Sequence, residues 1–429
     1  MRWWWLWIAG CGAEPVCVLP EPGAPEQPNL LVVLIDDVGL EQLGPWGIAS
    51  DPVPTPTIDC LCREGLRFDN VWASPFCTPA RVALWSGMHP RREGIGRFIN
   101  VGQSSWELPL ERTTLAEALR PAGYSSAFLG KWHIGAFAAP SGRMHPNLQG
   151  FTYFSGILGN VDHLSELGPK GDYFDWEHLV NGVRLWRRGY LTSAMVDDAL
   201  EVIDELPEPW VVALSLQGAH SPLHTPPRRL LSRGPGADPS ELEQFRAMVE
   251  AVDTELGRLL ADMEPGVLSR TQIWTLSDNG TPSHGIADPE LVSRGKGTLF
   301  EAGVRVPMVV TGAGVQAVGG STDALVSILD VFPTLLQLAG APEAPSDGAS
   351  LLPLLTDPAL DHHDVLYADV TSLSGEVFRA VRGPDTKLVR RGEQAQLYEV
   401  GDGLREVAID GEDPALSEAL DAFIEAYGQ

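Results

Sequence analysis

Four groups of side chains in the sequence have types and spacings suited to chemistry. Asp36 and Asp37 close the apolar run NLLVVLIDDVG, and Asp278 with Asn279 close TQIWTLSDNG. Three carboxylates and an amide carbonyl are hard oxygen donors, with neither thiol nor imidazole among them, so the set suits Ca2+ or Mg2+ rather than zinc. A lone DD pair is commonly a solvated turn; a matching ending on a second apolar run favours a metal. Cys77 and Arg81 in FCTPARVALWSG are four residues apart. If this stretch opens a helix with Pro79 in its first turn, the two share a face at the helix's positive end, where anions are favoured. The thiol there is either a nucleophile of lowered pKa or packing beside an arginine. Lys131 and His133 flank Trp132, and on an extended segment both point the same way. With Arg81, Lys296 of SRGKGTLFEAG and His220 of GAHSPLHTP they would line a cationic pocket. Lysine is a compact charge for a tetrahedral oxyanion, and histidine can protonate a leaving oxygen.

The elements that position these groups are legible in outline. NLLVVLI, WVVALSL and TQIWTLS read as strands buried on both faces, as in a parallel sheet, and they run into Asp36 and Asp37, His220, and Asp278 with Asn279. SSAFLG reads as a fourth, running into Lys131 and His133, and VRVPMVVTG as another. In open α/β sheets the ligand crevice lies beyond the carboxyl ends of the strands, so groups scattered from Asp36 to Lys296 would meet in one place. Thr55 and Pro56 start a helix in which Ile58, Leu61, Cys62 and Leu66 share a face and Gly65 marks the stop, which makes Cys60 and Cys62 ordinary helix positions. ELEQFRAMVEAVDTELGRLLADM is a long amphipathic helix whose methionines are core. After Asp361, short alternating stretches and a helix from about Pro414 predict a small antiparallel sheet with a helix. The division is therefore 1–28, a leader and tether; 29–360, a catalytic α/β domain; and 361–429, a small α+β subdomain.

The chain has 429 residues and a formal charge of -27, from 57 acidic and 30 basic residues. Such a surface repels nucleic acid, so an anionic substrate must be met by a local cluster of cations. Five cysteines (Cys11, Cys17, Cys60, Cys62, Cys77) with no CxxC pair indicate neither a disulfide framework nor a zinc ribbon. The opening MRWWWLWIAGCGAEP has the order of a bacterial export signal, resembling the lipoprotein form cut before Cys11, with a Pro-rich acidic tether after it. That predicts an exported bacterial protein, periplasmic or membrane-anchored through lipid on Cys11.

CTPAR at 77–81 resembles the formylglycine signature of the type I, arylsulfatase-like sulfatases of the alkaline phosphatase superfamily. LIDDVG, TPTIDCLCREGLRFDNVWA, LGKWHIG, GAHSPLHTP, SDNG and GKGTLFEAGVRVP resemble that family's other segments in the same order, over roughly residues 28–400. The resemblance implies an alkaline phosphatase-like fold: a large mixed, mostly parallel sheet flanked by helices, with a small C-terminal antiparallel sheet and helix. It implies that a maturase oxidises Cys77 to formylglycine, whose hydrate attacks sulfur. Asp36, Asp37, Asp278 and Asn279, with the modified Cys77, would ligate Ca2+, Mg2+ being the other option. Arg81, Lys131, Lys296 and His220 would bind the sulfate, His220 would protonate the leaving alcohol, and His133 would help deprotonate the second hydroxyl. Ala80 stands where the family usually has Ser, and LWSGM, ending in Met88, replaces its usual Leu-Thr-Gly-Arg tail.

The implied substrate is a sulfate monoester, either a small aryl sulfate or a sulfated glycan. A phosphate or phosphonate monoester hydrolase of the same superfamily and an inactive sulfated-glycan binding protein are the other readings. Residues 136–190 are expected to wall the pocket, and His145, His163, His224 and His284 are candidates to touch substrate.

Overall fold

The computed structural model describes residues 19–23, 25–162, 170–234, 236–401 and 403–427. The leader and Cys11 lie outside the described residues. No helix among the described residues is long and apolar enough to cross a membrane.

Ten strands form the larger sheet: β1 (Asn29–Ile35), β2 (Gly65–Trp72), β3 (Ser125–Lys131), β4 (Tyr153–Ile157), β5 (Asp175–Val180), β6 (Val183–Arg188), β7 (Trp210–Leu216), β8 (Thr271–Ser277), β9 (Arg305–Gly312) and β10 (Gly320–Ser327). Their order is β10-β2-β9-β8-β1-β7-β3-β4-β5-β6, and only β9 and β5 run against the others. The mixed, mostly parallel sheet expected from the sequence is thus observed. Every residue of β1 is buried. Because successive side chains point to opposite faces, Leu30, Val32 and Leu34 enter one core and Leu31, Val33 and Ile35 the other. The first core is closed by helices α2 (Cys77–Ser86) and α5 (Val331–Leu338), the second by α1 (Pro56–Glu64), α3 (Leu191–Glu205) and α4 (Glu241–Asp262). Helix α4 opens with a capping box between Ser240 and Glu243, and Phe245, Met248, Val252, Leu256 and Leu259 are buried on its inner face.

A second, five-stranded antiparallel sheet comprises β11 (Leu366–Thr371), β12 (Val377–Arg382), β13 (Thr386–Arg391), β14 (Gln394–Val400) and β15 (Glu406–Ile409). Its Val381, Leu388 and Leu397 pack on Leu416, Leu420 and Phe423, the last three from α6 (Pro414–Tyr427). The two sheets are joined by a shared apolar cluster, Trp72, Leu299, Val304 and Leu325 against Leu366, Ala368, Val370 and Ala380. Buried Glu301 pairs there with Arg382 and Lys387.

Cys60 is not an ordinary helix position. It is disulfide-bonded, whereas Cys62 and Cys77 are free. An odd cysteine count without a CxxC motif concealed this, because pairing is set by proximity in the fold rather than by spacing.

His89, which precedes a short turn after α2, packs edge-on against Phe423 of α6 at 4.7 Å between ring centroids and beside Tyr427 at 5.3 Å. Burial pushes its pKa down from 6.5 to about 3, against the pull of the Asp347 carboxylate. Between those values the unfolded chain takes up a proton that the native chain refuses, so stability falls as pH drops below 6.5. This residue's share approaches about 1.4 kcal/mol per pH unit. Urea midpoints measured at neutral and mildly acidic pH should show that share of the slope disappearing in His89→Asn.

Candidate active site

Strands β8, β1, β7 and β3 are neighbours in the sheet, and their carboxyl ends deliver Asp278 and Asn279, Asp36 and Asp37, His220, and Lys131 to one edge. Close backbone packing holds this edge together. Gly130 has φ +96°, and a Cβ there would lie 2.0 Å from the Ser215 carbonyl, so the strand that carries Lys131 can approach β7 only with glycine at that position. A Cβ on Gly280 would lie 1.9 Å from the Ala302 carbonyl. The turn after β1 is tied to the turn after β8: Val38 N–H donates to Ser277 Oγ (3.2 Å) and Gly39 N–H to Thr281 Oγ1 (2.8 Å). Lys296 N–H donates to the Thr281 carbonyl (2.9 Å) and Gly297 N–H to that of Pro75 (2.9 Å), which places the Lys296 loop between the β8 turn and the chain leading into α2.

Helix α2 begins at Cys77, as its proline and spacing predict, and all ten of its residues are buried. Arg81, wholly buried, donates from Nε to Asp278 Oδ2 (3.0 Å) and from one terminal nitrogen to the Lys131 carbonyl (2.6 Å) and Ser215 Oγ (2.7 Å). Its other terminal nitrogen lies 3.0 Å from Asp278 Oδ2 and 3.5 Å from Asp36 Oδ2. Lys131 Nζ donates to Asp36 Oδ2 (2.5 Å), and Lys296 Nζ pairs with Asp37 Oδ1. Asn279 donates its amide to Asp37 Oδ1 (2.7 Å) and to the Gly280 carbonyl (3.0 Å).

These bonds leave two buried acceptors, Asp36 Oδ1 and Asn279 Oδ1, without a hydrogen-bond partner. Asp36, Cys77 and Asp278 offer ligand atoms all within 4.8 Å of one another. Burial, and next the Asp36 charge, push the Asp278 carboxyl up to about 7. Burial also works against ionised Asp36, yet Lys131 and Arg81 hold its carboxyl well below the usual range. An orphaned carboxylate oxygen on Asp36 and an orphaned amide carbonyl on Asn279, beside the buried carboxylate of Asp278, suit a hard divalent cation, and the residues present fit one.

The remaining residues singled out in the sequence divide clearly. His220 lies with Nε2 3.8 Å from Asp37 Oδ2, and its Nδ1 sits 2.8 Å from the Ser221 carbonyl, so Nδ1 carries the proton. Burial, then Lys131 and Lys296, push its pKa down to about 4. His133 is not on an extended segment: its φ is +62°, so the chain turns immediately after β3. Its Nε2 donates to the Ile99 carbonyl (2.9 Å), leaving the Nδ1 lone pair buried and unpartnered. Burial, Lys131 and Arg81 hold its pKa well below the usual value. The Cys77 thiol is pushed up rather than down, because burial outweighs the cations Lys131 and Lys296. A reactive thiolate of lowered pKa is therefore not what the fold prepares. His145 is structural: it accepts from Trp132 Nε1 (2.9 Å) and its Nε2 bonds the Leu108 carbonyl (2.8 Å). His224 packs on Tyr173 at 4.1 Å between ring centroids, and half-buried His284 feels the charges of Asp37 and Lys296. His163 lies outside the described residues.

Three supporting residues escaped sequence reasoning. Ser215 receives Arg81; a serine inside the otherwise apolar WVVALSL was its signal. Tyr173, fully buried, donates to the carbonyls of Gln217 (2.8 Å) and His220 (2.6 Å) and so fixes the turn that presents His220. Thr78 Oγ1 accepts from Ile99 N–H (3.1 Å), linking α2 to the loop that holds His133.

The family model described as Sulfatase matches residues 28–341. The chain belongs to the sulfatase family. This sulfatase is 29% identical to arylsulfatase G of Rattus norvegicus over 397 residues, covering 82% of this chain and 73% of the relative. It is 33% identical to arylsulfatase A of Bos taurus over 367 residues, covering 77% and 68%. Among solved structures, Ps i-CgsB in complex with k-i-k-neocarrahexaose superposes with a TM-score of 0.79 at 26% identity, covering 94% of this chain and 91% of that one. The sulfatase is thus a sulfuric ester hydrolase, the activity that the sequence pattern implied.

Arg81 balances two buried carboxylates of the sulfatase. Replacing it with Met should leave Asp278 and Asp36 short of a counter-charge and cost about 3–5 kcal/mol, read as a lower urea midpoint.

Proposed function

We propose that the sulfatase cleaves aryl or carbohydrate sulfate monoesters with formylglycine generated at Cys77, beside a Ca2+ ion held by Asp36, Asp37, Asp278 and Asn279. The observation that carries this reading is the Cys77 sulfur at the first turn of a buried helix, within 4.8 Å of carboxylate oxygens of Asp36 and Asp278. A buried thiol of raised pKa is a poor nucleophile, yet its side chain stands where an oxygen nucleophile would meet both a metal and the cations. Converted and hydrated, Cys77 supplies two hydroxyls, one to attack sulfur with departure of the alcohol, the other to expel sulfate when deprotonated. The metal, when bound, supplies a lowered pKa for the attacking hydroxyl and positive charge for the sulfate oxygens.

The chain's own residues divide the rest of the work. Lys131 and Lys296 flank the Cys77 position as cations and offset charge on the transferring group. Arg81 donates to Asp278, Ser215 and the Lys131 carbonyl and so positions the metal carboxylates, while its second terminal nitrogen, buried without a hydrogen-bond partner, is left to bind a sulfate oxygen. The bare Nδ1 of His133 is the base for the second hydroxyl. His220 presents an unprotonated Nε2, so it serves as acid once the anionic ester has raised its affinity for a proton. The resemblance to a chain solved with k-i-k-neocarrahexaose favours a glycan sulfate over a small aryl one. The leader over 1–28 fits export, with Cys11 as lipid anchor, and 361–429 fits a subdomain that braces the Lys296 loop through Glu301.

Co-expression with a formylglycine-generating maturase should replace the thiol of the Cys77 peptide by an aldehyde, read by mass spectrometry. Cys77→Ala should lose at least about 1000-fold in sulfate ester turnover; full activity in that variant, or faster cleavage of the matching phosphate ester, overturns the reading. In thermal melts, Ca2+ at about one hundred times its Kd should stabilise Cys77→Ala by about 2.7 kcal/mol, with the gain lost on adding Asp36→Asn.

A further inference from the structure

A second cluster of ligating groups lies beyond the outermost strand of the larger sheet, three strands across from β8. Edge strand β10 ends at Ser327 and passes through Asp330 into α5, which packs with α2 in the same core. Asp330 is completely buried. Its carboxylate accepts from Ser327 N–H (2.7 Å, Oδ2) and Ala349 N–H (2.8 Å, Oδ1), so two backbone donors fix its plane. His362 and His363, in the chain that leads to β11, both turn Nε2 toward this one carboxylate.

A hydrogen-bonded pair explains only half of this arrangement. His363 Nε2 sits 2.9 Å from Oδ2 and 3.0 Å from Oδ1, a shared contact that satisfies His363. His362 Nε2 lies 3.3 Å from Oδ2 but makes no hydrogen bond there or elsewhere, although nine-tenths of its side chain is buried. One carboxylate thus faces two imidazole nitrogens, and a buried nitrogen aimed into the cluster is left over. The ligand atoms of all three residues lie within 4.8 Å of one another. A tetrahedral ion with bonds of about 2.0–2.1 Å holds its donors roughly 3.3–3.4 Å apart, and His362 Nε2 already lies 3.3 Å from Asp330 Oδ2.

We infer that Asp330, His362 and His363 form a second metal site, for Zn2+ or a similar first-row divalent ion, which clamps the segment entering the small sheet onto the turn before α5. Two imidazoles with one carboxylate select such an ion over Ca2+. The backbone donors to Asp330 supply the outer support that ligating carboxylates need. His363, a quarter exposed, opens the cluster to solvent and leaves room for water as a fourth ligand.

The test uses the full-length sulfatase, stripped of metal and kept in excess Ca2+ so that the active-site ligands are occupied. Titration with Co2+ should give one equivalent of a visible ligand-field band, and Zn2+ should displace it and raise the Tm. His362→Gln, which leaves the His363–Asp330 contact in place, should bind Co2+ at least about 10-fold more weakly while hydrolysing sulfate ester at the wild-type rate. Should that variant fold poorly, His362→Arg places a hydrogen-bonding cation beside the carboxylate and cannot ligate. Absence of the band in the wild type, or an equal band in the folded variant, overturns the site.

Discussion

Two fully buried carboxylates, Asp36 and Asp278, are the constraint around which the active-site edge is built. Their desolvation is costly unless cations and hydrogen bonds surround them. Arg81 meets that requirement from α2 and Lys131 from β3, and Arg81 in turn binds the Lys131 carbonyl and Ser215 on β7. The charge cluster therefore fixes the relative positions of four strands, β1, β3, β7 and β8, and the helix that begins at Cys77. With Asp37 and Lys296 included, three acidic groups face three cations. A divalent ion shifts this balance to positive, which suits an anionic ester in a chain whose formal charge is -27.

The second layer of the site is held by backbone rather than by charge. Turns after β1 and β8 bond to each other, and the Lys296 loop bonds to both the β8 turn and the entry to α2. Glu301, five residues beyond Lys296, is fastened to Arg382 and Lys387 of the small sheet. The small sheet thus reaches the segment that carries Lys296 through Glu301, and the chain after α2 through the Arg91–Asp369 pair.

Much of this was legible because strands in a parallel sheet carry chemistry at their carboxyl ends. Apolar runs closing on Asp36, His220 and Asp278 announced both the strands and the groups they deliver. Other features were hidden for identifiable reasons. His133 looked like a partner of Lys131 on an extended strand, but a positive φ, which sequence does not display in a histidine, swings it onto Ile99. His145 looked like a pocket residue, yet Trp132 and the Leu108 carbonyl consume both its nitrogens. Tyr173 belonged to an irregular loop with no periodicity to mark it, and its role depends on two carbonyls some forty residues later in the chain.

The sequence by itself determined which groups the protein owns and at which strand ends they emerge, since hydrophobic periodicity and helix-start chemistry are local properties of the chain. It also carried, in order, the segments of the family whose model matches residues 28–341. Only the tertiary structure decided what each group is free to do. Arg81 is paired with Asp278, burial pushes the Cys77 thiol up, and Cys60 is disulfide-bonded. Those outcomes depend on burial and on partners distant in sequence, and desolvation and hydrogen-bond supply are properties of the packed assembly, not of any segment alone.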